Sequence, residues 1–399
     1  MQTWKSDKIG NYIKLQGGNA FRSSNYVEKG IPLVRIGNVG KGFFVGKEFV
    51  YISKDEYDSF PAFHLKENDI LVGMTGELGK VAKIHSQFIP AALNQRVGKV
   101  IFLNNSLDKD YLYQLLLSDY FIQKLEPFFA GAAQKNISSS QLESVEVFIP
   151  PNSTQIKISK ILTDIDELIS KTDQVIQKSE VLKQGLLVDL ISNHISQNSS
   201  EKWEIKQLKE VCDLITDGKH GDCENQENSG YYFISSKDIH DGVIDYTNSR
   251  QITKIDFEDA NKRTRLGVGD LVMTNSGTIG RMAIAQDDHR TYTTTFQKSV
   301  AIIKPKKTIV SSEYLQYYFL SVLRSLQTTS NGSAQMNLLL KDMRSLQIPV
   351  PDKKMQNEIV SVLFGVDQKI SIENEIKNQA VLLKNGLMKD IFSQKVEIN

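Results

Sequence analysis

The sequence predicts an α+β protein with two similar globular regions, each a short curved sheet plus helices. Two long antiparallel coiled-coil helices join and space these regions about a pseudo-two-fold axis. Three observations predict this: segments recur at a shift of about 200 residues, each copy ends in a long heptad-patterned stretch, and short β-prone runs fill the remainder.

The repeat is direct. Gly131-Ala132-Ala133-Gln134-Lys135-Asn136-Ile137 matches Gly332-Ser333-Ala334-Gln335-Met336-Asn337-Leu338, and Gly76-Glu77-Leu78-Gly79-Lys80 matches Gly277-Thr278-Ile279-Gly280-Arg281. Leu182-Lys183-Gln184-Gly185-Leu186 matches Leu383-Lys384-Asn385-Gly386-Leu387. Two related halves imply an approximate two-fold axis, and two-fold objects commonly meet two-fold partners.

Within each half the elements follow one order. Leu33–Ile36, Ile70–Val72, Val81–Ile84 and Val97–Phe102 are β-prone runs bounded by Gly, Asn and Pro; their counterparts are Tyr232–Ile234, Leu271–Met273, Met282–Ile284 and Val300–Ile303. An amphipathic helix is expected around Asp110–Leu125 and again around Ser312–Leu326. Pro150-Pro151 and Pro349-Val350-Pro351 end the preceding strand, which makes Asn152 and Asp352 the expected N-caps of the long helices.

Counting sevens along those helices places Ile158, Ile165, Thr172, Ser179 and Leu186 at one core position and Ile161, Leu168, Val175, Leu182 and Asp189 at the other. The second copy gives Ile359, Val366, Glu373, Ala380 and Leu387 with Val362, Lys369, Ile376, Leu383 and Asp390. Leu162, Ile169 and Ile176, and likewise Leu363 and Ile370, widen the stripe. Each helix of roughly 40 residues spans about 60 Å. Pairing the two helices with each other buries both stripes; the alternative is that each packs on its own domain.

Composition is that of a globular protein, with a formal net charge of +1. No apolar run reaches membrane-spanning length and Met1–Ser6 lacks a signal-peptide core, so a cytoplasmic location is expected. Cys212 and Cys223 lie in one half without counterparts, which argues against a shared disulfide framework or zinc ribbon. Near-neutral charge weighs against a nucleic-acid partner unless basic groups are focused on one face or a partner supplies much of the phosphate binding.

Catalytic signatures are missing. Gly73 and Gly79 have five residues between them rather than four, and Val81 stands where a phosphate loop needs Ser or Thr. No paired-histidine metal motif, nucleophile elbow, dinucleotide loop or Asn/Asp-Pro-Pro-Tyr stretch occurs, and no metal site is expected. The Gly-x-x-Gly segments read as tight turns needing positive φ. The matched carboxylates Asp69 with Asp270 read as turn caps, and Asp166 with Asp367 as solvated helix faces.

What differs between the halves is more telling. Two halves that read different sequences should agree at scaffold positions and diverge at base-reading ones. Side-chain amides bond adenine, Arg and Lys bond guanine, and nearby cations anchor phosphates. On that logic the DNA-binding candidates in the first half are Asn19, Arg22, Asn25, Tyr26, Arg35, Asn38, Thr75, Lys80, Asn94, Gln95, Arg96 and Lys135. In the second they are Lys219, His220, Ser235, Lys237, Asn275, Ser276, Arg281, Thr295, Gln297 and Lys298. A solvated surface role is the competing reading for every Lys and Arg among them.

Across nearly its whole length the chain resembles the specificity subunits of type I restriction–modification systems. The resemblance rests on Gly269–Arg281, Gly332–Asn337 and Ile348–Ile359 with their first-half counterparts. It implies residues 1–149 as a first target recognition domain, 150–197 as a conserved spacer helix, 201–348 as the second recognition domain and 349–394 as the second spacer helix. It further implies a non-catalytic reader of split double-stranded DNA that docks two adenine methyltransferase subunits and restriction/translocase subunits. S-adenosylmethionine would sit on the methyltransferase, with no cofactor on this chain. Two departures are the Ala-Ala-Gln of the first copy, where the family has Ser, and a start almost directly at Trp4 without an extended helical segment. The competing readings are a coiled-coil adaptor that does not read DNA and a stand-alone DNA-modifying enzyme.

Overall fold

The computed structural model describes residues 4–129, 136–195, 203–240, 242–329 and 338–396. The chain forms two compact units, one of residues 1–173 with 374–399 and one of residues 174–373. Both long helices are therefore cut between units, so each unit holds one globular region and half of each helix.

In the first unit Ile13–Gly17, Val97–Phe102, Ile70–Gly73 and Val81–Lys83 form an antiparallel sheet in that spatial order. Ile70, Val72, Val81 and Val100 face one core, and Leu71, Ala82 and Val97 face another. Burial on both faces explains why these strands read as continuous apolar runs rather than as alternation. A second sheet orders Tyr26–Val27, Val50–Ile52, Ile31–Val34 and Ala92–Leu93, the last two parallel. Lys5–Lys8 pairs with Glu146–Ile149 and fastens the two ends of the globular region together.

The second unit repeats the order with Cys212–Asp217, Val300–Pro305, Leu271–Thr274 and Met282–Ile284. Tyr232–Ile234 again runs parallel to its neighbour, Thr294–Phe296, and Glu204–Gln207 pairs with Gln347–Val350. Ser312–Thr329 is one helix, as expected. Its counterpart is two, Lys109–Leu117 and Asp119–Leu125. The break falls at Ser118, whose hydroxyl donates to the Leu115 carbonyl and accepts from the Phe121 N–H.

The long helices run Asn152–Leu187, continued by a π turn over Val188–Ser192, and Lys353–Phe392. Asp352 caps the second through the Met355 N–H, whereas Asn152 is already helical and its amide bonds the Asn105 carbonyl instead. A matched glutamine ties each helix to its own domain. Gln155 accepts from the Asp108 N–H and donates to the carbonyls of Ser106 and Pro150. Gln356 accepts from the Ser311 N–H and donates to Ile309 and Pro351.

Helix pairing is antiparallel within each unit, but the seam differs from the one counted in sevens. Ile158 and Ile359 are buried, and Ile165, Val175, Leu186, Val366 and Leu387 are half-buried. Ile161, Leu168, Leu182, Val362, Ile376 and Leu383 are exposed. The second seam position belongs to Leu162, Ile169, Ile176 and Lys183 on one helix and to Leu363, Ile370, Lys377 and Lys384 on the other. Three of these seam positions are lysines, which an apolar count passes over.

Those lysines answer carboxylates across the pair. In the first unit Lys384 bonds Asp166 at 2.6 Å and Lys377 bonds Asp173. In the second, Lys183 bonds Asp367 at 2.6 Å. Asp166 also accepts from Gln114, and Asp367 from the Tyr317 hydroxyl. These two aspartates are therefore not solvated faces but the junction of helix, partner helix and sheet domain. By contrast Asp69 and Asp270 cap turns as expected, accepting from the N–H groups of Lys66 and Gly267.

Candidate nucleic-acid interface

In the first unit three loops converge because their backbones bond one another. The Asn19 N–H donates to the Leu93 carbonyl at 3.1 Å, the Gln95 N–H to Asn19 at 2.8 Å and the Asn94 N–H to Val34 at 3.1 Å. A Cβ on Gly18 would lie 2.1 Å from the Asn94 carbonyl oxygen, so only glycine permits this approach. The loops enclose a cavity of about 490 Å³ lined by Tyr26, Arg35, Lys47, Asn94, Gln95 and Arg96, among others. Gln95 and Arg96 are exposed, and Arg96 holds φ +70° at the turn into Val97–Phe102.

The remaining first-half candidates divide by burial. Arg22 and Asn25 are exposed, with Asn25 bonded to Glu56, while Asn19, Thr75 and Lys80 are half-buried. Asn38 is a correction: it is 3% exposed, accepts from the Arg35 N–H and donates to the carbonyls of Val45 and Lys47. It holds the turn that carries Arg35 and has no hydrogen to offer a base. Lys135 lies outside the described residues, as do Gln134 and Gln335.

The second unit repeats the backbone scheme with other side chains. The Lys219 N–H donates to Phe296 at 2.7 Å, Gln297 to Ile234 at 2.8 Å and Lys298 to Lys219 at 3.2 Å. Ser235 and Thr295 are corrections, since both are buried, Ser235 bonding Asp238 and Thr295 bonding Thr264. Lys237, His220 and Lys298 are exposed; Gln297, Ser276 and Arg281 are half-buried; Asn275 is buried with Oδ1 unpartnered. His220 and Arg263 both bond the Asp217 carboxylate, at 3.1 and 2.5 Å, while Lys219 faces Asp256 and Asp259. Carboxylates of the same unit thus hold several of the loop cations in place.

Both Gly-x-x-Gly segments are turns, with φ +85° and +78° at Gly76 and Gly79 and +76° and +96° at Gly277 and Gly280. Two contributors escaped the sequence reading. Lys47 lies beyond the loop segments that were compared, although the adjacent Lys47-Glu48 pair sits in a stretch where the halves diverge. Arg263 lies on the helix Lys254–Thr264, whose first-half equivalent, Lys54–Asp58, is too short to align with it.

This architecture recurs in solved structures. The S subunit of a type I restriction–modification system from M. genitalium superposes over 99% of this chain and 97% of its own, with TM-score 0.59 and 16% identity. A chain solved in a study of complex assembly and conformational transition of the type I R-M system covers 98% of each, with TM-score 0.63 and 16% identity. The chain belongs to the type I restriction modification DNA specificity family, whose domain model matches residues 1–180 and again residues 200–381. Among curated relatives, the type I restriction enzyme EcoBI specificity subunit of Escherichia coli is 24% identical over 98% of this chain and 85% of its own length. The putative MjaX specificity subunit of Methanocaldococcus jannaschii is 23% identical over 100% of this chain and 94% of its own.

Proposed function

We propose that the chain is a non-catalytic subunit that reads a bipartite double-stranded DNA target, one half-site with each unit. It directs two adenine methyltransferase subunits, and restriction subunits where the system has them, to that target. The observation that carries this reading is the repeated convergence of three loops onto one backbone scheme with divergent side chains, Asn19, Arg35 and Gln95 against Lys219, Ser235 and Lys298. Shared backbone fixes where the nucleic acid lies, and unshared side chains give two half-sites.

The exposed apolar residues of the long helices supply the protein-docking face. In the first unit these include Ile161, Leu168 and Leu383, and in the second Leu182, Val362 and Phe364. A stripe of this kind on a helix already paired along its other face suits a helical partner. The methyltransferase docked there would carry S-adenosylmethionine.

Inserting one heptad into both long helices tests the division of labour. Seven residues add about 10 Å of helix, or about three base pairs at 3.4 Å each. Mapping methylated adenines in cells expressing the complex should show the same half-sites with a spacer about three base pairs longer. An unchanged spacer, or altered half-sites, overturns the reading. A stable complex with the methyltransferase but no salt-dependent DNA binding would make the chain an adaptor instead.

A further inference from the structure

Matching backbone bonds set the register between the halves: Asn94 N–H to Val34 answers Gln297 N–H to Ile234, and Gln95 N–H to Asn19 answers Lys298 N–H to Lys219. Asn94-Gln95-Arg96 thus corresponds to Gln297-Lys298-Ser299, and Arg35 to Ser235. The Ser235 hydroxyl is spent on Asp238, so the second unit offers no free side-chain donor at the Arg35 position.

In the first unit Arg35 and Asn94 each carry a buried polar atom without a partner. Asn94 is 5% exposed with its Oδ1 unpartnered, and the Nε of Arg35 is buried and unpartnered, its Nη2 reaching only the Glu48 carbonyl at 3.4 Å. Both residues line the 490 Å³ cavity. Buried polar atoms are seldom left unpaired unless a ligand or water completes them. Here one orphan is a donor and the other an acceptor, on adjoining segments bonded through Asn94 N–H to Val34.

Resting on the DNA-reading function proposed above, we infer that this cavity is a base-reading pocket belonging to the first unit alone. Arg35 donates to an acceptor on a base edge, and Asn94 accepts from an amino group beside it. The edges that match are adenine, through N7 and the N6 amino group, and guanine O6 beside the N4 amino group of its paired cytosine. A phosphate offers acceptors only and would leave Asn94 Oδ1 unpaired. Arg96 and Lys47, exposed at the rim, bind phosphates and carry affinity rather than sequence.

The test uses the full chain co-expressed with its methyltransferase subunits and maps methylated adenines for wild type, Arg35→Lys, Asn94→Ser and Arg96→Ala. Arg35→Lys retains the charge and loses the guanidinium Nε–H. Arg35→Lys and Asn94→Ser should each relax one position of one half-site by about tenfold in discrimination, with the other half-site unchanged. Arg96→Ala should lower methylation at all sites without changing the motif. Unchanged motifs in Arg35→Lys and Asn94→Ser, with unchanged melting temperatures, overturn the pocket. If wild type itself yields no defined motif, the failure lies in the underlying function and not in the pocket.

A measurement on the wild-type complex guards against variants that do not fold. Ultraviolet crosslinking to DNA carrying 5-iodouracil or 5-iodocytosine across the first half-site should label Tyr26, which lines the cavity. Crosslinks that avoid Tyr26 and the residues around Arg35 and Asn94 overturn the inference.

Discussion

Replacing Gln356 with methionine removes a single amide that secures the second long helix to its sheet domain. Gln356 is fully buried, with its Oε1 3.0 Å from the Ser311 nitrogen and its Nε2 2.8 and 2.9 Å from the carbonyls of Ile309 and Pro351. Methionine keeps the length and offers no partner to any of the three. At about 1 kcal/mol net for each bond, partly offset by the apolar gain of the thioether, the loss comes to about 2–3 kcal/mol. Hydrogen exchange reads it locally: the Ser311 amide, which loses its acceptor, should exchange about 30–150-fold faster. Gln155→Met should do the same to Asp108, whose N–H donates to Gln155 at 2.7 Å. If the Ser311 and Asp108 amides keep their wild-type exchange rates, the glutamines are not the anchors described here.

Three further outcomes follow from individual contacts. Reversing Lys384 to Asp should destabilise the first unit by about 1 kcal/mol, a modest figure because the Asp166 side chain is 38% exposed, and adding Asp166→Lys should restore most of it in a double-mutant cycle. Gly280→Ala should cost more than Gly277→Ala in urea unfolding. Both have positive φ, but a Cβ at 280 would lie 2.1 Å from Leu323 Cδ1 whereas nothing lies within 4 Å at 277, so about 1–2 kcal/mol is expected at 280. The Arg290 guanidinium beside Asp288, with the Arg290 N–H, holds that carboxyl down at about 2 against an ordinary 3.8. Its contribution to stability is therefore present above pH 4 and lost as pH falls through about 2, which an NMR titration of the Asp288 carboxyl would show as a midpoint near 2.

The repeat made most of the fold legible, since strand runs such as Val97–Phe102 and Met282–Ile284 are apolar, short and punctuated. The helix seam was legible only in part. Lys183, Lys377 and Lys384 occupy core positions because carboxylates on the opposing helix meet them, and a count of apolar residues has no access to a partner distant in sequence. The Asp110–Leu125 stretch reads as one continuous helix because Ser118 is polar but not a helix breaker; what breaks it is a pair of hydrogen bonds of its hydroxyl, donated to the Leu115 carbonyl and accepted from the Phe121 N–H. For the candidate interface, divergence between halves picked out loops that the fold brings together. It did not separate Asn38 and Ser235, which hold turns, from Arg35 and Asn94, which line the cavity, because burial and hydrogen-bond partners are set by the fold.

The division of the chain into one continuous unit and one discontinuous unit bears on the order of synthesis. Residues 174–373 are contiguous, so every strand and helix segment that the second unit needs has been made by the time residue 373 leaves the ribosome. The first unit, although begun earlier, buries Met388, Ile391 and Phe392 in its core beside Tyr111, Ile158 and Leu162. At about 5–20 residues per second those last side chains arrive roughly one to four seconds later. Until then the earliest-made domain waits with an open apolar face, and the half translated first is the half that closes last.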